Sequence, residues 1–98
     1  MKKKLTPIHP GEILIEEFMR PKEISINRLA RDIVVPPNRI SEIVNGKRGI
    51  TADTALRLGK YFSVSPETWL SMQADYDLRI AKQTIGKEVD KKVHPYAA

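Results

Sequence analysis

Between Pro36 and Gly49 the chain reads P-P-N-R-I-S-E-I-V-N-G-K-R-G. Asparagine can pair with the adenine edge, arginine with guanine, and glutamate can accept from cytosine. Those types occur here as Asn38, Arg39 and Glu42, with Ser41 among them and Ile40 and Ile43 interleaved. With both isoleucines turned into a core, Asn38, Arg39, Ser41 and Glu42 take the outer side of one helix. Asn38 and Glu42 are four apart and share a face. Lys47 and Arg48 follow where a chain leaving a groove meets phosphates. Pro37, at the start of the helix, completes the candidate DNA-contact set. A solvated polar face on a small helical domain would use the same residue types. The prolines before the helix, Asn-Gly after it and the basic pair beyond favour DNA contact.

Two short helices must hold these side chains. Ser25 is a good N-cap, because its hydroxyl accepts an orphan backbone N–H. Leu29, Ala30 and Ile33 then recur at helical spacing. Val35-Pro36-Pro37 stops that helix, since proline lacks the N–H and pushes its predecessor out of the α region. Proline is welcome at the first position of the next helix. That helix begins near Pro36 or Pro37, carries Ile40, Ile43 and Val44 inward, and ends at Asn45-Gly46, where glycine can take the left-handed cap. Helix, short turn, helix is a helix-turn-helix, whose second helix lies in the major groove.

Three more helices complete the chain. The first is expected over Pro10–Met19, with Ile13, Leu14, Phe18 and Met19 buried and Glu12, Glu16 and Glu17 outward. Thr51 caps a fourth helix that runs to about Phe62 and buries Ala55, Leu58 and Phe62. Ser65-Pro66-Glu67 opens a fifth, expected to reach about Thr84 and stop at Gly86. It carries more apolar surface than one small core needs. Trp69 is assigned to the core, and Leu70, Gln73 and Tyr76 to a homodimer contact. The expected fold is all-α: a basic arm at residues 1–8, a five-helix domain at 9–85 and a frayed tail at 86–98.

Composition narrows the function. Residues 25–60 hold seven Lys/Arg against three acids, a net +4 of the chain's +5. The positive charge therefore sits on the helix-turn-helix, as an anionic duplex would favour. The chain has no cysteine, which excludes disulfide and thiolate chemistry and fits a reducing cytoplasm. No apolar run approaches the ~20 residues of a membrane span. The opening Met-Lys-Lys-Lys has no apolar run after it, so it does not read as a signal peptide. His9 and His94 lack a third ligand at metal spacing, so no metal is expected, and His9 reads as a capping or packing residue. No phosphate-cofactor loop is present. Glu16 and Glu17 are adjacent and do not form a hydrolytic pair. No cofactor and no catalysis are expected.

The stretch L-A-R-D-I-V-V-P-P-N-R-I-S-E-I-V-N-G-K-R-G-I-T-A-D-T-A-L-R-L resembles the repressor-type helix-turn-helix of phage regulators. With H-P-G-E-I-L at His9–Leu14 and S-P-E-T-W-L at Ser65–Leu70, it more narrowly resembles the HigA-type antitoxins of bacterial toxin–antitoxin modules. The match covers about Ile8 to Arg79. The resemblance implies a protein that represses its own operon and neutralises a toxin, a small mRNA-degrading ribonuclease, by complex formation. Such a toxin would be basic, and Glu12, Glu16 and Glu17 would complement it. One departure stands out: the family has glycine at the turn, where this chain has Val34. A β-branched residue disfavours positive φ, so a slightly different turn is expected. Two other readings fit the same residues. One is a stand-alone repressor without a toxin, and the other is a nucleic-acid-binding accessory protein or enzyme subunit without sequence preference.

Overall fold

The computed structural model describes residues 6–97. Residues 1–5 of the expected arm lie outside the described residues. Five helices follow, with no strand among the described residues. They are α1 (Pro10–Ile13), α2 (Ile26–Ile33), α3 (Pro37–Val44), α4 (Ala52–Phe62) and α5 (Pro66–Lys92). The first helix does not stay α. It widens into a π-helix over Leu14–Met19 and tightens into a 3-10 turn over Arg20–Lys22. Leu14 and Met19, five apart, carry its burial, while Ile13 and Phe18 are only half-buried. A π turn aligns residues five apart, and that is why this pair lies inside.

The remaining apolar pattern packs as its spacing dictates. Leu29, Ala30, Ile33, Ile40, Ile43, Ala55, Leu58 and Trp69 are buried in one cluster, joined by Ile24 and Ile50. Helices α2 and α3 pack on each other, α4 covers α2, and α1 lies across α3 and α5. Gly11 makes the α1–α3 contact. A Cβ there would stand 1.8 Å from the Ile43 carbonyl oxygen. Phe18 stacks against Trp69 and Phe62 with ring centroids 4.9 and 5.1 Å apart.

Four helix ends use the same reversal. Glu23, Val34, Gly46 and Ser63 all take left-handed backbone, with φ of 54°, 63°, 76° and 58°. Each is followed by an N–H that reaches back five residues: Ile24 to Met19, Val35 to Ala30, Lys47 to Glu42, and Val64 to Gly59. That is the long bond of a Schellman cap. The expectation of an altered turn at Val34 is therefore corrected, because valine adopts the conformation a glycine would. Left-handed backbone costs an L-residue roughly 1–2 kcal/mol. Burial of the following residue offsets it: Ile24 is buried, and Val35 and Val64 pack against the core.

α5 corrects the sequence reading. It passes through Gly86 and ends at Lys92, so residues 87–92 are helix and not frayed chain. A mid-helix glycine costs only about 1 kcal/mol. Local bonds support this stretch: Thr84 Oγ1 donates to the Ile80 carbonyl, and Lys92 pairs with Glu88. Lys91 and Lys92 also lie at the end that favours cations. Twenty-seven residues span about 40 Å, which accounts for a radius of gyration of 16.6 Å where a compact chain of this length has about 13 Å.

Candidate nucleic-acid interface

Residue by residue, α3 is built to present a polar side. Pro36 precedes it in extended backbone and Pro37 fills its first turn. Ile40 and Ile43 are fully buried. At 100° per residue the opposite side then falls to Asn38, Ser41, Glu42 and Asn45. Asn38 and Asn45 are exposed, and Ser41 and Glu42 are half-buried. Asn38, Pro37 and Ser41 share a shallow groove with Ser25, Ile26 and Asn27 at the start of α2. The Ser25 hydroxyl accepts the Arg28 N–H at 3.0 Å and so fixes that start. Asn45 donates its amide to the Ser41 carbonyl at 2.8 Å.

The charged residues are already engaged. Glu42 accepts from Arg48 Nε at 2.8 Å, so the two form an ion pair beside the exposed Lys47. Arg39 leaves the outer side. It lies on the flank facing α4, where its Nη1 donates to Asp53 Oδ1 at 2.7 Å. The sequence reading that placed Arg39 beside Asn38 is corrected, because 100° per residue puts it between the outer and buried sides. Arg57 Nε donates to the same Asp53 oxygen at 2.7 Å. Its Nη1 donates to the carbonyls of Ile33 and Val34 at 2.9 and 3.1 Å. The hydrogen bond from Arg57, then that from Arg39, holds the Asp53 carboxyl below its usual pKa. The Tyr61 hydroxyl does the same for Asp32, donating at 2.6 Å.

His9 caps α1, its Nδ1 accepting the Gly11 N–H at 2.9 Å, and its ring meets Tyr76 edge-on at 4.8 Å. Partial burial lowers its pKa. The loop carrying Lys47 and Arg48 is tied to α5, since Gln73 Oε1 accepts the Ile50 N–H at 2.8 Å. Gln73 and Tyr76 thus serve their own subunit, and Leu70 stands exposed apart from them. The structure does not gather Leu70, Gln73 and Tyr76 on one open side. Glu12, Glu16 and Glu17 are all exposed, and Glu16 pairs with Arg20.

Asn45 was missed because it was assigned wholly to the helix stop. Its spacing of four from Ser41 and seven from Asn38 was the signal for it. Asp53 and Arg57 had none, since only the fold brings residues 14 and 24 positions apart together.

A model of helix-turn-helix domains matches residues 15–69. Virulence-associated protein I of Dichelobacter nodosus is 52% identical over 82 residues, 84% of this chain and 76% of that protein. The solved structure of an addiction module antidote protein of the HigA family from Coxiella burnetii is 50% identical. It covers 94% of this chain and 100% of that one, with a TM-score of 0.88. The chain belongs to the HigA-like helix-turn-helix family. Another HigA-like structure, Pseudomonas aeruginosa antitoxin HigA with the higBA promoter, is 42% identical with a TM-score of 0.89, covering 93% and 99% of the two chains. α2 and α3 both fall within the helix-turn-helix match, and so does the Asp53–Arg57 pair.

Proposed function

We propose that this chain is an antitoxin and autorepressor, which binds the promoter of its own operon through α3 and holds a toxin with another face. The observation that carries the DNA half is the outer side of α3. It is a row of base-reading side chains, Asn38, Ser41, Glu42 and Asn45, along a helix seated by Gly11, begun by Pro37 and closed by the reversal at Gly46. Arg39 and Lys47 flank that row, and the surrounding segment carries the chain's positive charge. The P. aeruginosa relative was solved with promoter DNA, which supports the same use here. Gel-shift titration of the duplex upstream of its own gene, against an unrelated duplex, tests this reading. Arg39→Ala should cost about 1–3 kcal/mol on the promoter and relax sequence preference. Lys47→Ala should weaken both duplexes and lower the salt slope by about one. Equal binding of the two duplexes by the unaltered chain would remove sequence-specific repression.

The antidote half rests on the family. The exposed acids Glu12 and Glu17, with Glu16, give a basic ribonuclease toxin a complementary face. Reversal of Glu12 and Glu17 to lysine should slow capture of the neighbouring gene's product while leaving promoter binding intact. Unchanged capture would move the toxin site off α1.

Two copies would read two half-sites about one helical turn apart. The paired surface belongs to the distal part of α5. Leu78, Ile85 and Val89, at i, i+7 and i+11, fall within ~40° of one another on the helix, on the side opposite Trp69. They are 55%, 50% and 41% exposed, and a C2 contact would cover the same stripe on both copies.

A further inference from the structure

Asp53 is the meeting point of three elements. Its Oδ1 accepts from Arg39 on α3 and from Arg57 on its own helix, both at 2.7 Å. Arg57 in turn grips the carbonyls of Ile33 and Val34, the strained end of α2. Of the Arg39–Asp53 pair, the arginine is the more enclosed, its side chain 26% exposed against 56%. A guanidinium carries five N–H donors in a rigid planar fork. Asp53 takes a bond at one terminal nitrogen, which tethers that end of the fork, while its other donors make no hydrogen bond among the described residues. An arginine on a long, unrestrained stem finds phosphates, which carry no sequence information. A bidentate contact to guanine O6 and N7 needs the fork aligned in the plane of the base.

We propose that Asp53 is a positioning residue for sequence selection: it fixes the direction of Arg39, so that this side chain meets one base edge and not the neighbouring phosphates. The inference rests on the DNA-binding reading above and adds to it a residue outside the recognition helix. Two effects follow from the same carboxylate. It sharpens the base contact, and its negative charge, set between two arginines, weakens attraction to an arbitrary duplex.

Selection from a randomised duplex library tests it, using the full chain and the variants Asp53→Asn, Arg39→Lys and the double variant. Salt-titrated gel shifts on the selected duplex and on an unrelated one accompany it. Arg39→Lys keeps the charge, loses the fork and should erase preference at one base pair. Asp53→Asn should erase preference at that same base pair, by roughly tenfold. Its binding to the unrelated duplex should tighten, with a salt slope steeper by about one. The double variant should be no worse than either single change, because both act through one contact. Arg57→Met removes the support of the turn and one of the two bonds on Asp53, while the Arg39–Asp53 bond itself remains. It should lower the melting temperature and leave the selected motif unchanged. Preference retained in Asp53→Asn, lost at a different base pair, or lost additively with Arg39→Lys overturns the proposal. Loss of the motif in Arg57→Met to the same degree overturns it too, since support of the turn would then be the cause. An unaltered chain that selects no motif at all overturns the DNA-binding reading along with this inference.

Discussion

The helices before residue 63 and the distal part of α5 are helical for different reasons. α1 to α4 have four to eleven α-helical residues each, below the ~12–15 at which an isolated helix becomes even marginal in water. They exist because their apolar sides meet. Caps and left-handed ends stop each one where the next must begin. Among the described residues, none of distal α5 from Leu78 onward is buried. Its length and its i,i+4 bonds carry it past Gly86, and an apolar stripe faces outward. The first region therefore answers to packing and, on the dimer proposed above, the second to association, so substitutions in the two should separate stability from assembly.

Gly11→Ala breaks the first region hardest. A methyl 1.8 Å from a backbone oxygen forces α1 off α3, and about 3 kcal/mol or more of stability should go with it, read by chemical denaturation. Retained stability would mean that α1 does not seat on α3 as described.

Ile85→Asp gives the opposite signature. Unfolding free energy of the isolated subunit should change by less than about 0.5 kcal/mol. Self-association at micromolar concentration should fall at least tenfold, roughly 1.4 kcal/mol, by sedimentation. A melting temperature that drops at dilutions where the chain is monomeric would place Ile85 in a core after all.

Val34→Gly sharpens the contrast from the other side. Removing the left-handed strain should stabilise the fold by about 1 kcal/mol, less what glycine gives back by loosening the unfolded chain. A destabilised variant would show that Arg57 and the burial of Val35 already remove the strain.

The smallest effect is pH-linked. His9 has a lowered pKa in the fold, so the unfolded chain binds the proton first. Stability is therefore full above the ordinary histidine value of about 6.5 and declines as pH falls through it. Thermal melts at pH 7.5 and 5.5 should show a drop that His9→Asn, which can still cap but does not titrate, lacks. An equal drop in both would assign it to other groups.

These contrasts track what was legible in the sequence. The helix-turn-helix was, because Ser25, the apolar spacing and Pro36-Pro37 are local signals acting over a turn or two. Gly46 marked its own cap. Glu23, Val34 and Ser63 perform the same reversal without glycine, so their sequence types concealed it. The π turn was hidden because Ile13, Leu14, Phe18 and Met19 fit an α period about as well. Asn45 was readable from its spacing. The flank position of Arg39 followed from its spacing against Ile40 and Ile43, but its partner Asp53 depended on where α4 returns. Gly86 was overread as a stop, because one glycine costs less than the bonds around it supply.

The central claim is that α3 lies in a major groove, twice, on one duplex. Dimethyl sulfate footprinting of the duplex upstream of its own gene probes it directly, since the reagent methylates guanine N7 on the major-groove edge. The account predicts two protected clusters about one helical turn, ~34 Å, apart, both lost in Arg39→Ala and both weakened in Ile85→Asp. Tight binding with no protected guanine, or with protection spread evenly along the duplex, would contradict it.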